Sequence, residues 1–128
     1  MCKFALKKIE ALNGKQEFDK LEINGICQFD EFENELKGNK KYKAELASIY
    51  AYMEEASNNN TLPEKKFKDI TPAKETVKEY EFRSKNLRVY TIKKENGKIV
   101  IFGGYKNRQK KEMRKFRAIK KEYLQTLK

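Results

Sequence analysis

Residues 77–105 read VKEYEFRSKNLRVYTIKKENGKIVIFGGY, a run of strand-like segments punctuated by two turns. Along Val77 to Ser84, Tyr80 and Phe82 point one way while Glu79, Glu81 and Arg83 point the other, the period of a strand. Ser84-Lys85-Asn86 makes a short turn. Along Leu87 to Lys93, Leu87, Val89 and Thr91 then oppose Arg88, Tyr90 and Ile92. Glu95-Asn96-Gly97 is a second tight turn. Lys98 to Phe102 is rich enough in β-branched residues to be the central, most buried strand, closed by Gly103-Gly104. Three antiparallel strands in a meander follow.

Upstream of the meander, Thr61 to Pro72 contains both prolines and reads as a connector in which Phe67 and Ile70 pack. Before it the period is helical. Phe29, Phe32 and Leu36 predict a short helix from Gln28 that stops at Gly38. Tyr42, Leu46, Ile49, Tyr50 and Met53 predict a longer one, from after Asn39 to about Ala56, broken by Asn58-Asn59-Asn60. Earlier still, Asn13-Gly14 and Asn24-Gly25 favour turns with positive φ, which predicts antiparallel strands over 3–11 and 16–24. Downstream, Tyr105 to Gln109 leads into a final helix from about Lys110 to Leu127, with Met113, Phe116, Ile119, Tyr123 and Leu127 on one stripe. The expected class is α+β. A single domain, 1–128, would pack an antiparallel sheet with an N-terminal helical hairpin and a C-terminal helix, and residues 1–25 would add a β-hairpin.

Charge is unevenly spread. Residues 85–128 carry fifteen lysines and arginines against three glutamates, a balance of +12, whereas the whole chain stands at +11. A field of that sign suits a polyanion such as nucleic acid, because each neutralised phosphate releases condensed counterions. Histidine is absent. Ser-His-Asp, Cys-His and His-ligated zinc chemistry are therefore excluded, and any general acid or base must be Glu, Asp, Lys, Tyr or water. Cys2 and Cys27 are too few for a disulfide scaffold and lack metal-ligand spacing, so neither metal nor cofactor is expected. No leader-like apolar run and no membrane-length stretch occurs, which points to a soluble cytoplasmic chain.

Chemistry is expected where the meander turns bring basic residues together. Arg83 and Arg88 flank the first turn as potential cross-strand neighbours, and Tyr105, Lys106 and Arg108 follow the third strand. Two such guanidiniums repel unless Glu79 or Glu81, or a phosphate, lies between them. Cations around a phosphate, with a tyrosine nearby and no metal, suit RNA transesterification: the 2′-hydroxyl attacks the adjacent phosphorus and fixed charges stabilise the equatorial oxygens. The final helix, with Lys110, Lys111 and Arg114, reads as a general polyanion-facing surface.

From residue 62 to 126 the chain resembles the RelE/ParE toxin superfamily, especially its HigB-like, phage-derived branch. The carriers are the Leu62-Pro63 connector with Phe67-Lys68-Asp69-Ile70, the Tyr80–Arg83 and Arg88–Tyr90 strands, Ile99–Phe102, and the loop GGYKNRQKKE at 103–112. The resemblance implies the toxin of a toxin–antitoxin pair, typically a ribosome-dependent endoribonuclease of translated messenger RNA, with a cognate antitoxin as partner. Carried over, Lys68, Arg83, Arg88 and Lys106 would hold the scissile phosphate. Tyr105 would transfer a proton or stack on a base, and Glu81 would orient Arg83 or act as a weak base. Many relatives place His where Phe102 stands and a second Lys where Asn107 stands. Two other readings remain open: a ParE-like toxin that inhibits a protein such as gyrase without cleaving RNA, and a non-catalytic RNA- or DNA-binding module.

Overall fold

The computed structural model describes residues 2–128; Met1, where the expected domain and its hairpin begin, lies outside the described residues. In chain order the elements are β1 (Phe4–Lys8), β2 (Glu17–Ile23), β3 (Ile26–Cys27), α1 (Gln28–Glu35), α2 (Lys40–Ser57), β4 (Phe67–Asp69), β5 (Glu79–Arg83), β6 (Leu87–Lys94), β7 (Gly97–Tyr105) and α3 (Gln109–Thr126). Single 3-10 turns at Leu36–Gly38 and Lys106–Arg108 precede α2 and α3. The class is α+β.

The strands form one sheet in the order β1-β2-β7-β6-β5-β4, with β3 pairing β2. The meander β5-β6-β7 is antiparallel as its alternation requires. The sheet as a whole is not: β2 runs parallel to β7, Phe18 beside Lys98 and Lys20 beside Val100. The expected all-antiparallel sheet is thus corrected to a mixed one. The long crossover through α1 and α2 carries the chain from β2 to the meander, and parallel neighbours need such a connection.

Each sheet face has its own core. On one, Phe82, Leu87, Val89 and Val100 meet Phe29, Phe32 and Leu36 around α1 and Leu46, Ile49 and Met53 of α2. On the other, Tyr90, Ile92, Ile99 and Ile101 meet Phe116 and Tyr123 of α3. The helical pair and the last helix therefore sandwich the sheet.

Four local expectations change. The Asn13-Gly14 turn does not form: the first strands end at Lys8 and resume at Glu17, and positive φ appears at Asn24 (52°) and Gly25 (81°). Ile9 and Leu12 are instead drawn into the core of the α2 face, and Gly14 presses on α2, where a Cβ would fall 1.8 Å from Ser57 Oγ. The connector supplies a short edge strand, β4. Gly103-Gly104 do not close the third strand but lie inside it, under the Phe32 ring and the Glu112 carboxylate, with 2.2 Å left for a Cβ in each case. Leu127 leaves the buried stripe and is exposed.

α3 is held by charge as well as by apolar contact. Lys120, 2% exposed, donates to Glu79 Oε2 (2.8 Å), Glu75 Oε1 (3.0 Å) and the Val77 carbonyl (2.8 Å). Arg117 donates to Glu79 Oε1 (3.0 Å) and the Ile70 carbonyl (2.9 Å). Every Lys120 proton is used, which is the condition for a buried ion pair to be tolerated.

Lys98 is the contrasting case. It is buried with no carboxylate partner among the described residues, donating only to Gln16 Oε1 (2.8 Å) while the rings of Phe18, Phe67 and Tyr80 surround it at 5.2–5.8 Å. Burial lowers its pKa from the usual 10.5, and Lys93 lowers it further. The folded chain thus holds this proton less tightly than the unfolded chain. Stability is lowest below the folded value and recovers as pH rises towards 10.5. Lys98→Met is expected to raise stability at pH 7, with the advantage over the parent shrinking as pH rises through the lysine range. Urea melts of both proteins at several pH values measure it.

Candidate functional site

Arg83 and Arg88 stand directly opposite each other across β5 and β6, on the face that α3 covers. Arg88 is buried, and its Nη1 donates to the carbonyls of Ser84 (2.6 Å) and Leu87 (2.8 Å). Its Nε finds no acceptor, lying 3.6 Å from Glu81 Oε1. Burial lowers the Arg88 pKa, Glu81 opposes that shift, and Arg83 adds to it. Guanidinium basicity is high enough for the charge to remain.

Glu81 is the counter-charge. Fully buried, it accepts from Arg83 Nε (2.7 Å) and from Gln109 Nε2 (2.8 and 3.0 Å). Of the two glutamates that pattern alone offered as neutraliser, Glu79 is taken by Lys120 and Arg117. Gln109 was not singled out in the sequence; its place in the first turn of α3 is what brings it here. Lys68 sits on β4 opposite Glu81, with its ammonium 3.8 Å from Glu64.

Tyr105 does not join this group, and a β-bulge is the reason. Tyr90 pairs with Phe102 but Thr91 pairs with Val100, so Ile101 is an extra residue on β7. Ile101 and Phe102 both enter the α3-side core, and every later side chain changes face. The expected convergence of Tyr105 with Arg83 and Arg88 is thereby corrected. Tyr105 faces the helical pair, with its ring edge-on to Phe32 (5.5 Å) and its hydroxyl donating to Glu35 Oε2 (2.5 Å). Burial and Glu35 push its pKa up to about 12, so it stays a hydrogen-bond donor at neutral pH. Phe102 packs on Tyr90 (5.2 Å) with the Lys115 ammonium 4.7 Å from its ring. The phenol on the arginine side is that of Tyr90, which donates to Glu112 (3.2 Å). Burial raises the Glu112 pKa.

Lys106 and Arg108 stay close to Tyr105. With Glu35, Tyr42, Asn86 and Tyr105 they line a cleft of about 550 Å³, to which Asn107 also contributes. The Lys106 amide donates to the Asn86 carbonyl (2.9 Å), tying this loop to the turn between the arginines. Cleft and arginine pair therefore flank one end of the sheet from opposite sides. Lys110, Lys111 and Arg114 are exposed on α3 and form no ion pair among the described residues. Lys37, Lys40, Lys41 and Lys43, before and at the start of α2, are likewise exposed. Their cluster is hidden in the near-neutral sum of the first 84 residues.

Glu45 was also not apparent from sequence, because nothing about a polar residue on α2 marks its target. It accepts from Ser84 Oγ (2.5 Å), the Asn86 amide (2.8 Å) and Asn86 Nδ2 (2.7 Å). Burial pushes its pKa up, but these hydrogen bonds outweigh it and hold the carboxyl below the ordinary value. One carboxylate thus fixes the turn that spaces Arg83 from Arg88.

Among the described residues, no group of three or more Cys, Asp or Glu side chains is placed to hold a metal ion, and no helix is long and apolar enough to cross a membrane. No family model, curated protein or solved structure matches the chain.

Glu45→Ala is expected to free the turn. Amide exchange at Asn86 should accelerate markedly, with a stability loss of about 1–3 kcal/mol for the donors left unpaired. Hydrogen-exchange NMR with a urea melt checks both.

Proposed function

We propose that this protein is the toxin of a toxin–antitoxin pair, of RelE/ParE type, and that it cleaves translated messenger RNA on the ribosome. The observation that carries the reading is the arginine pair: two opposed guanidiniums, braced by a buried glutamate, at the start of a helix whose exposed Lys110, Lys111 and Arg114 form no ion pair among the described residues. Fixed positive charge in a part-buried setting favours the charge that builds on phosphate oxygens in the transition state. In the reaction the 2′-oxygen bonds to phosphorus as the bond to the 5′-oxygen breaks. The 2′-proton leaves to a base and the 5′-oxygen gains one. Arg83 and Arg88 would stabilise the phosphorane, Lys68 and Lys106 would anchor flanking phosphates, and Arg108, Lys110, Lys111 and Arg114 would dock the RNA. Glu81 orients Arg83 and Arg88. The cognate antitoxin would lay an acidic or amphipathic segment over the same surface.

One observation favours a second reading. Tyr105 is turned away to Glu35 and Phe102 is part of the core, so neither position offers a side chain that could pass a proton beside the arginines. That arrangement fits a ribosome-dependent nuclease, which borrows proton transfer from its surroundings. It also fits a ParE-like toxin that binds a protein such as gyrase and leaves RNA intact.

The test is induced expression of the parent and of Arg83→Ala, with growth and transcript 5′ ends recorded. The nuclease reading predicts new ends within translated messages. It also predicts their loss in the variant by about 100-fold or more, the scale of deleting one charge-stabilising donor. Growth arrest with intact messages and impaired supercoiling would select the ParE-like reading, and full toxicity of the folded variant would move the site elsewhere.

A further inference from the structure

The cleft on the far side of the sheet end combines features that a bare phosphate would not need. Its rim is cationic, from Lys106 and Arg108, yet one wall is the carboxylate of Glu35. Glu35 closes α1 and is exposed. Its Oε2 accepts the Tyr105 hydroxyl, while Oε1 accepts no hydrogen bond among the described residues, and no cation lies within ion-pair distance of either oxygen. An anion alone would be repelled by that carboxylate. A ligand that carries both a phosphate and an edge of N–H donors would satisfy rim and wall together.

Aromatic surface is present as well. The rings of Tyr42 and Tyr105 lie 5.9 Å apart at 52°, an angle that makes no parallel slot, so a planar ligand stacks on one ring only. Arg108 already covers Tyr105, 5.2 Å from its centroid, which leaves Tyr42 as the platform. A volume of about 550 Å³ holds one nucleotide. Guanine alone among the four RNA bases presents two adjacent N–H donors on its Watson–Crick edge, the pattern that matches a carboxylate.

We propose that this cleft is a base-reading subsite for guanine in single-stranded RNA, with Tyr42 as the stacking platform and Glu35 as the acceptor for N1–H and N2–H. The inference rests on the reading of the protein as RNA-binding and adds to it the base recognised. A strand whose phosphate lies at Arg83 and Arg88 would turn around the Asn86–Lys106 junction to place its neighbouring base in the cleft.

The experiment titrates the full chain calorimetrically with GMP, AMP, CMP and UMP, and with two pentanucleotides, all-adenine and the same with one guanine. GMP and the guanine-containing strand are expected to bind about tenfold or more tighter than their counterparts, the scale of one good two-point base contact. Glu35→Gln should erase that preference by weakening GMP and the guanine-containing strand, while the all-adenine strand, relieved of a repelling carboxylate, binds no more weakly than it does to the parent. Tyr42→Ala should weaken all four nucleotides alike. Equal affinity for the four nucleotides, or a preference that survives Glu35→Gln, overturns the assignment. Tight binding of both strands without preference would sink the guanine subsite but keep the RNA reading. Failure of both strands to bind would sink both readings.

Discussion

Two buried carboxylates on one face of β5, those of Glu79 and Glu81, set the terms for the rest of this structure. A carboxylate removed from water costs several kcal/mol unless cations and hydrogen-bond donors meet it. Both therefore dictate what packs above them. Glu79 receives Lys120 and Arg117 from the middle of α3, and Glu81 receives Gln109 from its first turn together with Arg83. The helix is thereby fixed at two points about three turns apart, and its rotation follows. With Phe116, Lys120 and Tyr123 turned inward, Lys110, Lys111 and Arg114 can face only solvent. The basic surface is a consequence of acids buried beneath it.

The same acids arrange the arginine pair. Glu81 holds Arg83 by a direct hydrogen bond but leaves Arg88 at 3.6 Å, with Nε unsatisfied, so the pair is braced and yet not fully neutralised. Glu45 fixes the turn between them from the opposite side of the sheet. The bulge at Ile101 then assigns Tyr105 and the loop after it to the helical-pair side. The sheet end thus divides its labour. Charge gathers on one side, and an aromatic, mixed-charge cleft opens on the other.

Much of this was legible in the sequence, for a physical reason: side-chain alternation in Val77–Lys93 reports directly on which residues share a face. It placed Arg83 opposite Arg88 and gave the meander its antiparallel order. The helical periods of Phe29 to Met53 and of Met113 to Tyr123 were equally direct. What failed were features that depend on partners far away in the chain. Gly14 looked like a turn residue but is small because Ser57 lies against it, and Gly103 and Gly104 are small because Phe32 and Glu112 press on the strand. Parallel pairing of β2 with β7 leaves no mark on either strand alone. A bulge moves Tyr105 across the sheet without changing composition or local propensity. Lys120 reads as one more solvated lysine until its three acceptors are seen. Glu45 carries no motif, and Gln109, although it lies in the loop at 103–112, has nothing beside it that marks Glu81 as its partner.

On the proposed function, the braced arginine pair rather than the basic helix in general would receive an RNA phosphate. NMR of the arginine Nε–H groups during titration with a short single-stranded RNA tests it most directly. Co-saturating shifts of the Arg83 and Arg88 resonances, with the Arg88 Nε–H moving to the position of a hydrogen-bonded group, are the predicted result. Shifts confined to α3 residues, with both arginine resonances unmoved at saturation, would place the phosphate on the helix and not on the arginine pair.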